Sequence, residues 1–168
     1  MRCFVAAWPD EETRRSIERL LETLRPQVLH ARPMQPRNLH LTLAFIGDLE
    51  DTAARSLAQS TARLAIEPFD WSVDSVGWFP RARVAWAGGP VNTVLNAAAS
   101  AVRSHLEALR IGFDRKPFVA HVTLFRDVRA FGCSGPLPEP IAWRTECVAL
   151  YAAARDERGP VYRKVPDD

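Results

Sequence analysis

The sequence has few cysteines, and the three that it has are poorly placed for a disulfide or a metal. Cys3, Cys133 and Cys147 lie far apart, are odd in number and form no Cys-x-x-Cys pair. A disulfide framework needs paired cysteines, and a cysteine zinc site needs closely spaced ones. The sequence therefore predicts neither, and we expect the three thiols to behave as small buried side chains.

Long apolar runs are also absent. No stretch approaches the roughly 18 apolar residues that span a bilayer, and the apolar start at positions 3–8 is interrupted from Asp10 onwards, too early for a signal-peptide core. With 47% hydrophobic and 25% charged residues over 168 positions, the composition is that of a globular protein. We therefore expect a cytoplasmic protein without a membrane segment.

Lysine is nearly absent. Of the 22 cationic residues only Lys116 and Lys164 are lysines, and the rest are arginines. Arginine binds phosphate in a bidentate manner and stacks on bases, which suits a phosphate-handling surface, but genomic base composition alone also produces such a bias. Because the net charge is only +2, composition by itself does not predict a nucleic-acid-binding protein.

Hydrophobic periodicity predicts strands and helices in mixed order. The sequence contains neither a Gly-rich phosphate loop nor a long series of β-α-β units, so we expect an α+β fold. The predicted strands cover positions 2–8, 38–46, 69–73, 83–87, 118–125, 142–153 and 160–165. Three helices are predicted: the first begins after an N-cap at Asp10 and ends before Pro26, the second covers 51–66, and the third covers 91–109 with Gly112 as its C′ residue. A loop is expected at 132–140.

Two of the four histidines open the same short phrase. The phrases are His-Leu-Thr-Leu at positions 40–43 and His-Val-Thr-Leu at positions 121–124. Residues i and i+2 of a strand share a face, so His40 lies beside Thr42 and His121 beside Thr123. A single phrase is most simply the polar face of an amphipathic strand. Two copies in the same context favour a function.

A pair of imidazoles suits proton transfer better than metal binding. The phrases offer two imidazoles and no Asp, Glu or Cys at ligand spacing, which is too few for a zinc site. Near neutral pH, one imidazole can act as general base while the other acts as general acid. In a displacement at phosphorus, the two threonine hydroxyls could donate to the non-bridging oxygens. This chemistry requires no metal or other cofactor, and we expect none.

The phrases and their surroundings resemble the two-histidine (2H) phosphoesterases, in the branch of RNA 2′,3′-cyclic phosphodiesterases, also called the 2′-5′ RNA ligase family. The chain departs from the family at Ala120, where Pro is usual, and at positions 152–154, which are all alanine where the family often carries Ser. The resemblance covers nearly the whole chain and rests on Arg2-x-Phe-Val-Ala, Asn-Leu-His-Leu-Thr-Leu from position 38 with Phe-Ile-Gly from 45, Gly77-x-Phe-Pro, Arg83-Val-x-Trp and His121-x-Thr-Leu-x-Arg.

The resemblance implies a fold and a reaction. The fold is a single bilobal α+β domain over residues 1–168, in which two antiparallel-type sheets surround a central groove with pseudo-twofold symmetry and the helices lie outside. The reaction is metal-independent hydrolysis of a terminal RNA 2′,3′-cyclic phosphate to a 2′-phosphate, with possible reverse 2′-5′ ligation. His40 would protonate the leaving 3′-oxygen and His121 would activate water. We expect a monomer.

Two further residues are candidates for binding the substrate. The resemblance puts Arg126 in the site, although strict alternation from His121 puts it on the opposite face unless the strand ends or bulges there. Phe125 shares the parity of His121 and Thr123, so we expect it to border the groove, where a base could stack on it. His30 and His105 have no comparable context and are interpreted as surface or cap residues.

Two alternatives to an RNA substrate remain open at this point. The first is a 2H phosphodiesterase that acts on small cyclic nucleotides or on an ADP-ribose cyclic phosphate. The second is an RNA- or nucleotide-binding module that keeps the fold without turnover, against which the intact His and Thr of both phrases argue. Comparing kcat/KM for mononucleotides and oligonucleotides would separate RNA from small substrates.

Overall fold

The computed structural model of the chain describes residues 1–64 and 66–167, and within them three α-helices and eight strands alternate irregularly along the sequence. This confirms the predicted α+β class. Among the described residues, no helix is long and apolar enough to cross a membrane. The elements are β1 Arg2–Pro9, α1 Glu11–Leu24, β2 Arg32–Pro33, β3 Leu41–Asp48, α2 Asp51–Ala62, β4 Asp70–Phe79, β5 Val84–Gly88, α3 Thr93–Ala108, β6 His121–Arg126, β7 Gly135–Asp156 and β8 Gly159–Lys164.

Helix α1 begins where the sequence predicts. The Asp10 carboxylate accepts a hydrogen bond from the backbone N–H of Thr13 at 2.8 Å and so caps the helix. Ile17, Leu21 and Leu24 recur at helical spacing and are buried against the sheet. Helix α2 is shorter than the predicted 51–66, and position 65 of that prediction lies outside the described residues.

The C-terminus of α3 differs from the prediction. Arg110, not Gly112, adopts the left-handed conformation that ends the helix, with φ of 56°. The N–H of Arg110 donates to the Glu107 carbonyl, and the N–H of Ile111 donates to the Leu106 carbonyl at 2.9 Å, which is a Schellman motif. Ile111 packs against the core, and the left-handed C′ residue lies two positions before the glycine.

The loop predicted at 132–140 is wrong from position 135 onwards, because strand β7 begins at Gly135 and runs for 22 residues. Positions 132–134 belong to no helix or strand, as predicted. Proline is the reason for the error. Pro136, Pro138 and Pro140 have no N–H to donate, and three prolines within five residues are typical of a loop. The pairing with β4 is interrupted in this stretch: it includes Pro136 and resumes only at Ile141.

The strands pair antiparallel in the order β1-β3-β6-β5-β4-β7, and β7 also pairs with β1, so the six form a closed circuit. Strand β7 closes it by pairing with β4 up to Arg144 and with β1 from Thr145 onwards. We call β1, β3, β8 and the later part of β7 the β3 half, and β2, β4, β5, β6 and the earlier part of β7 the β6 half. The antiparallel pairing agrees with the predicted fold class, but the eight strands form one sheet where the resemblance implied two.

Strands β3 and β6 pair with each other through only one residue pair, Leu41 with Val122. These are the middle residues of the two phrases, and both are fully buried in the main core. Where β3 and β6 join the two halves, the two phrases therefore cross.

Candidate active site

The crossing of β3 and β6 brings the four polar residues of the phrases together. Since Leu41 lies opposite Val122 in an antiparallel pair, His40 lies across from Thr123, and Thr42 across from His121. The apolar residues between them point into the core, whereas all four polar side chains are only half-buried. Each histidine therefore shares the groove with its own threonine and with that of the other strand.

Both imidazoles are oriented by the same backbone contact. The Nδ1 of His40 lies 2.6 Å from the carbonyl oxygen of Asn38, and the Nδ1 of His121 lies 2.8 Å from that of Val119. A carbonyl oxygen can only accept, so each Nδ1 carries the hydrogen and each Nε2 remains for other partners. The Nε2 of His40 is 3.1 Å from the hydroxyl oxygen of Thr42. The neutral rings thus present a basic nitrogen to the groove.

The groove holds both histidines in their neutral form when no anion is bound. Burial lowers the pKa of His40 to about 4, the charges of Arg126 and His121 act in the same direction, and the bond to Asn38 opposes them. Burial also lowers the pKa of His121, with the Arg126 charge as a further cause. At pH 7 His40 is therefore neutral in the free protein, and the neutral form of His121 is favoured as well.

Arg126 lies on the groove face because β6 contains a bulge. Thr123 pairs with Trp86 and Phe125 pairs with Ala85, so one step on β5 corresponds to two on β6. The extra residue shifts the alternation by one position. Arg126 returns to the face of the two phrases, and its charge acts on both histidines.

The same bulge overturns the expectation for Phe125. Its side chain is only 1% exposed and packs in the main core, as does that of the preceding Leu124. The prediction that Phe125 borders the groove is wrong because parity was counted through an irregular strand. In a regular strand, neighbouring side chains point to opposite faces. Leu124 and Phe125 are both buried because the bulge interrupts this alternation.

An aromatic wall encloses His40. The indole of Trp8 is stacked on the imidazole at 5.1 Å between centroids, Phe4 is tilted against it at 5.0 Å, and Tyr162 meets it edge-on at 5.1 Å. Tyr151 in turn stacks on Trp8 at 4.0 Å. Sequence reasoning missed Trp8, Tyr151 and Tyr162, because they come from β1, β7 and β8. The sequence offered one indication: Trp8 and Phe4 are four residues apart on β1, so both side chains are expected on the same face of that strand.

His121 has a more open surrounding. Phe79 meets its ring edge-on at 5.1 Å, and a cavity of about 380 Å³ opens beside His121 and Thr42. The cavity is lined mainly by apolar side chains, among them Phe45, which is 37% exposed, and Phe118. It is wide enough for a planar ring system to enter.

The remaining histidines lie outside the groove. His30 is exposed in the turn after α1 with φ of 64°, and the Nε2 of His105 lies 2.9 Å from the Ser60 hydroxyl oxygen between α3 and α2. Within residues 1–64 and 66–167, no three His, Cys, Asp or Glu side chains are grouped so that they could hold a metal ion.

Comparison with known proteins shows what the chain is similar to. Residues 8–86 match the family described as LigT like Phosphoesterase. The RNA 2′,3′-cyclic phosphodiesterase of Thermus thermophilus is 34% identical over 96% of this chain and 86% of its own length, and that of Archaeoglobus fulgidus is 32% identical over 75% and 72%. The crystal structure of Escherichia coli LigT complexed with 3′-AMP superposes with a TM-score of 0.82 at 28% identity, covering 98% of this chain and 95% of that chain.

Proposed function

The chain belongs to the LigT-like phosphoesterase family that its two phrases indicated, and from this premise we propose that it hydrolyses a terminal RNA 2′,3′-cyclic phosphate to a 2′-phosphate. One observation carries the proposal. Two histidines whose Nδ1 atoms are engaged by backbone carbonyls direct Nε2 into one groove, each across from a threonine hydroxyl. This is the arrangement that a displacement at phosphorus needs.

The reaction uses both imidazoles in turn. We assign the base to His121, following the family resemblance: it takes a proton from water, whose oxygen attacks phosphorus opposite the 3′-oxygen. The bond between phosphorus and the 3′-oxygen breaks, and His40 gives this oxygen its proton. The product is a 2′-phosphate beside a free 3′-hydroxyl. Thr42 and Thr123 donate to the non-bridging oxygens, and Arg126 balances the charge that develops on them.

The acid must gain its proton as the substrate arrives. Burial holds the pKa of His40 at about 4 in the free protein, and Arg126 contributes to this. A cyclic phosphate brings one negative charge, which offsets the Arg126 charge and favours the imidazolium form. Substrate and proton are therefore bound together, and binding of the anion weakens as the pH rises.

The nucleoside fits the cavity beside His121 and Thr42. Its volume of about 380 Å³ and its apolar lining suit a base, and the exposed ring of Phe45 offers a stacking surface. The similarity to a protein crystallised with 3′-AMP supports a nucleotide in the groove.

The decisive experiment uses an oligonucleotide that ends in a 2′,3′-cyclic phosphate, incubated with the pure protein in excess EDTA. We expect a 2′-phosphate product without added metal. An exclusive 3′-phosphate product would mean that the other ester bond is cleaved. Absence of turnover would favour the binding module.

The roles of the two histidines can be separated with a sulfur leaving group. A substrate with sulfur in place of the 3′-oxygen needs little protonation on departure, so it should restore much of the activity of His40→Ala but not of His121→Ala. If the sulfur-containing substrate restored the activity of His121→Ala instead, His121 would be the acid and His40 the base.

We further propose that the protein acts as a cytoplasmic monomer whose residues 1–168 form one bilobal domain. One chain supplies both phrases and Arg126, so the site needs no second copy. Sedimentation at micromolar concentration tests the monomer. The reverse 2′-5′ ligation follows from microscopic reversibility and is unfavourable in dilute solution.

A further inference from the structure

A second, smaller cavity of about 90 Å³ opens beside Arg126, away from the nucleoside cavity. Its lining includes Arg32, Arg126 and Tyr162. Strand β2 brings Arg32 there, because it pairs antiparallel with β6 and sets Arg32 directly opposite Arg126. Residues directly opposite in an antiparallel pair share a face, so both arginines belong to the face that carries the two phrases.

Two like charges in this arrangement are unfavourable for the sheet. Asp127 offers partial compensation through its carboxylate, 3.1 Å from the Nε of Arg32, but both side chains are more than half exposed and such contacts are weak. Arg126 itself raises the cost of protonating either histidine. An anion that touches both guanidinium groups would relieve this repulsion.

The side-chain amides of this cavity are already engaged. The Gln35 amide donates to the Arg158 carbonyl and accepts from Arg37, and the Asn38 amide donates to the Pro160 carbonyl and accepts from the N–H of Tyr162. The two arginines are therefore the charged groups left to define what binds, with Tyr162 beside them. Paired guanidinium groups match the geometry and charge of a phosphate.

We propose that Arg32 and Arg126 bind a second phosphate of the substrate, attached at the 5′-oxygen of the nucleotide whose cyclic phosphate reacts. Arg126, whose guanidinium has five N–H donors, contacts both this phosphate and the reacting one. In RNA this group is the phosphodiester that leads to the rest of the strand. The inference rests on the proposed function, which puts the cyclic phosphate between the histidines. It adds a substrate preference: an RNA end is favoured over a cyclic mononucleotide that carries no other phosphate.

The test compares Arg32→Gln with Arg25→Gln. Arg25 is a matched control because it is also an exposed arginine paired with one carboxylate, Glu22, but lies at the end of α1. The substrates are adenosine 2′,3′-cyclic phosphate, its 5′-phosphorylated form and a dinucleotide with the same cyclic end. We expect the wild type to prefer the two substrates with a 5′-linked phosphate by about tenfold in kcat/KM. Arg32→Gln should abolish this preference and leave adenosine 2′,3′-cyclic phosphate within about twofold of the wild type.

Each other outcome overturns the inference. An equal loss on all three substrates would mean that Arg32 acts on the reacting phosphate or on folding, which thermal unfolding of the variant would distinguish. An equal loss in Arg25→Gln would show a general effect of charge. A preference for the dinucleotide alone would assign the selectivity to the second nucleoside and not to the phosphate.

If the proposed function is wrong, the result will differ, because the wild type will then hydrolyse none of the three substrates. In that case calorimetry with adenosine 2′,5′-bisphosphate still tests the subsite. It should bind the wild type more tightly than Arg32→Gln, and equal affinities would overturn the inference.

Discussion

The two histidines have matching backbone contacts and contrasting surroundings. In the β3 half, His40 is held against Trp8, Phe4 and Tyr162, whereas in the β6 half His121 meets a single ring, Phe79, and borders the wide cavity. The matching backbone contacts engage Nδ1 of each ring and leave Nε2 of each for other partners. The side chains then surround one imidazole with three aromatic rings and leave the other beside an open cavity.

Removing either imidazole should have the largest effect. His40→Ala and His121→Ala should each lose about 10² to 10⁴-fold in kcat/KM, since each supplies a proton transfer. The wild-type profile of kcat/KM against pH should be bell-shaped, and each variant should lack one limb. His30→Ala, an exposed histidine outside the groove, is the matched control. If either groove variant kept near-wild-type turnover, the two-histidine mechanism would be wrong.

Replacing the threonines should have the next largest effect on activity. Comparing the two variants shows whether the two halves donate equally strong hydrogen bonds to the phosphate. Thr42→Val and Thr123→Val each remove one donor to the phosphate while keeping a β-branched shape, so kcat should fall about 10² to 10³-fold. The Ser variants keep the hydroxyl and should be much milder. The pH optimum should not move, because both histidines remain. Equal activity of the Val and Ser variants would make the threonines ordinary strand residues.

The difference in burial should appear in the pH dependence of stability without substrate. A folded-state pKa of about 4 for His40 means that the unfolded chain, but not the native one, gains this proton as pH falls below about 6.5. Stability is therefore present at pH 7 and lost towards pH 4, by about 2 kcal/mol between pH 7 and 5 from this group.

Urea unfolding of His40→Gln and His121→Gln at both pH values measures this contribution. The decrease in stability between pH 7 and pH 5 should shrink most in His40→Gln. A larger change in His121→Gln would reverse the order of burial that distinguishes the two halves.

The smallest effect is expected for a substitution at the end of α3, outside both phrases. It tests whether the stability of the fold can change while the activity stays the same. Arg110 ends α3 in a left-handed conformation that glycine adopts without strain, so Arg110→Gly should stabilise the fold by about 0.5–1 kcal/mol. Thermal unfolding measures it. The pH–rate profile should stay unchanged, and Arg110→Ala should give no comparable gain.

Local signals predicted the parts of the molecule that depend on neighbours in sequence. The cap at Asp10, the stripe of α1 and the pairing of His and Thr on one strand face follow from spacing alone. The bulge that buries Phe125 and brings Arg126 to the groove face depends on the register with β5, which no periodicity within β6 reveals. The aromatic wall joins β1 to β8, so its members meet only in the folded sheet.

Strand β7 belongs to both halves, and this has a consequence for the order in which the molecule assembles. β1 lies between β3 and β7, so the first strand of the chain keeps an unpaired edge until positions 145–152 are available. A nascent chain that ends before them already contains both phrases but cannot close the circuit. Tyr151, which stacks on Trp8, lies within this stretch, and Tyr162, which contacts His40, is synthesised after it. The catalytic groove is therefore a late product of folding, and a shortened chain should retain its motifs without the walls that orient them.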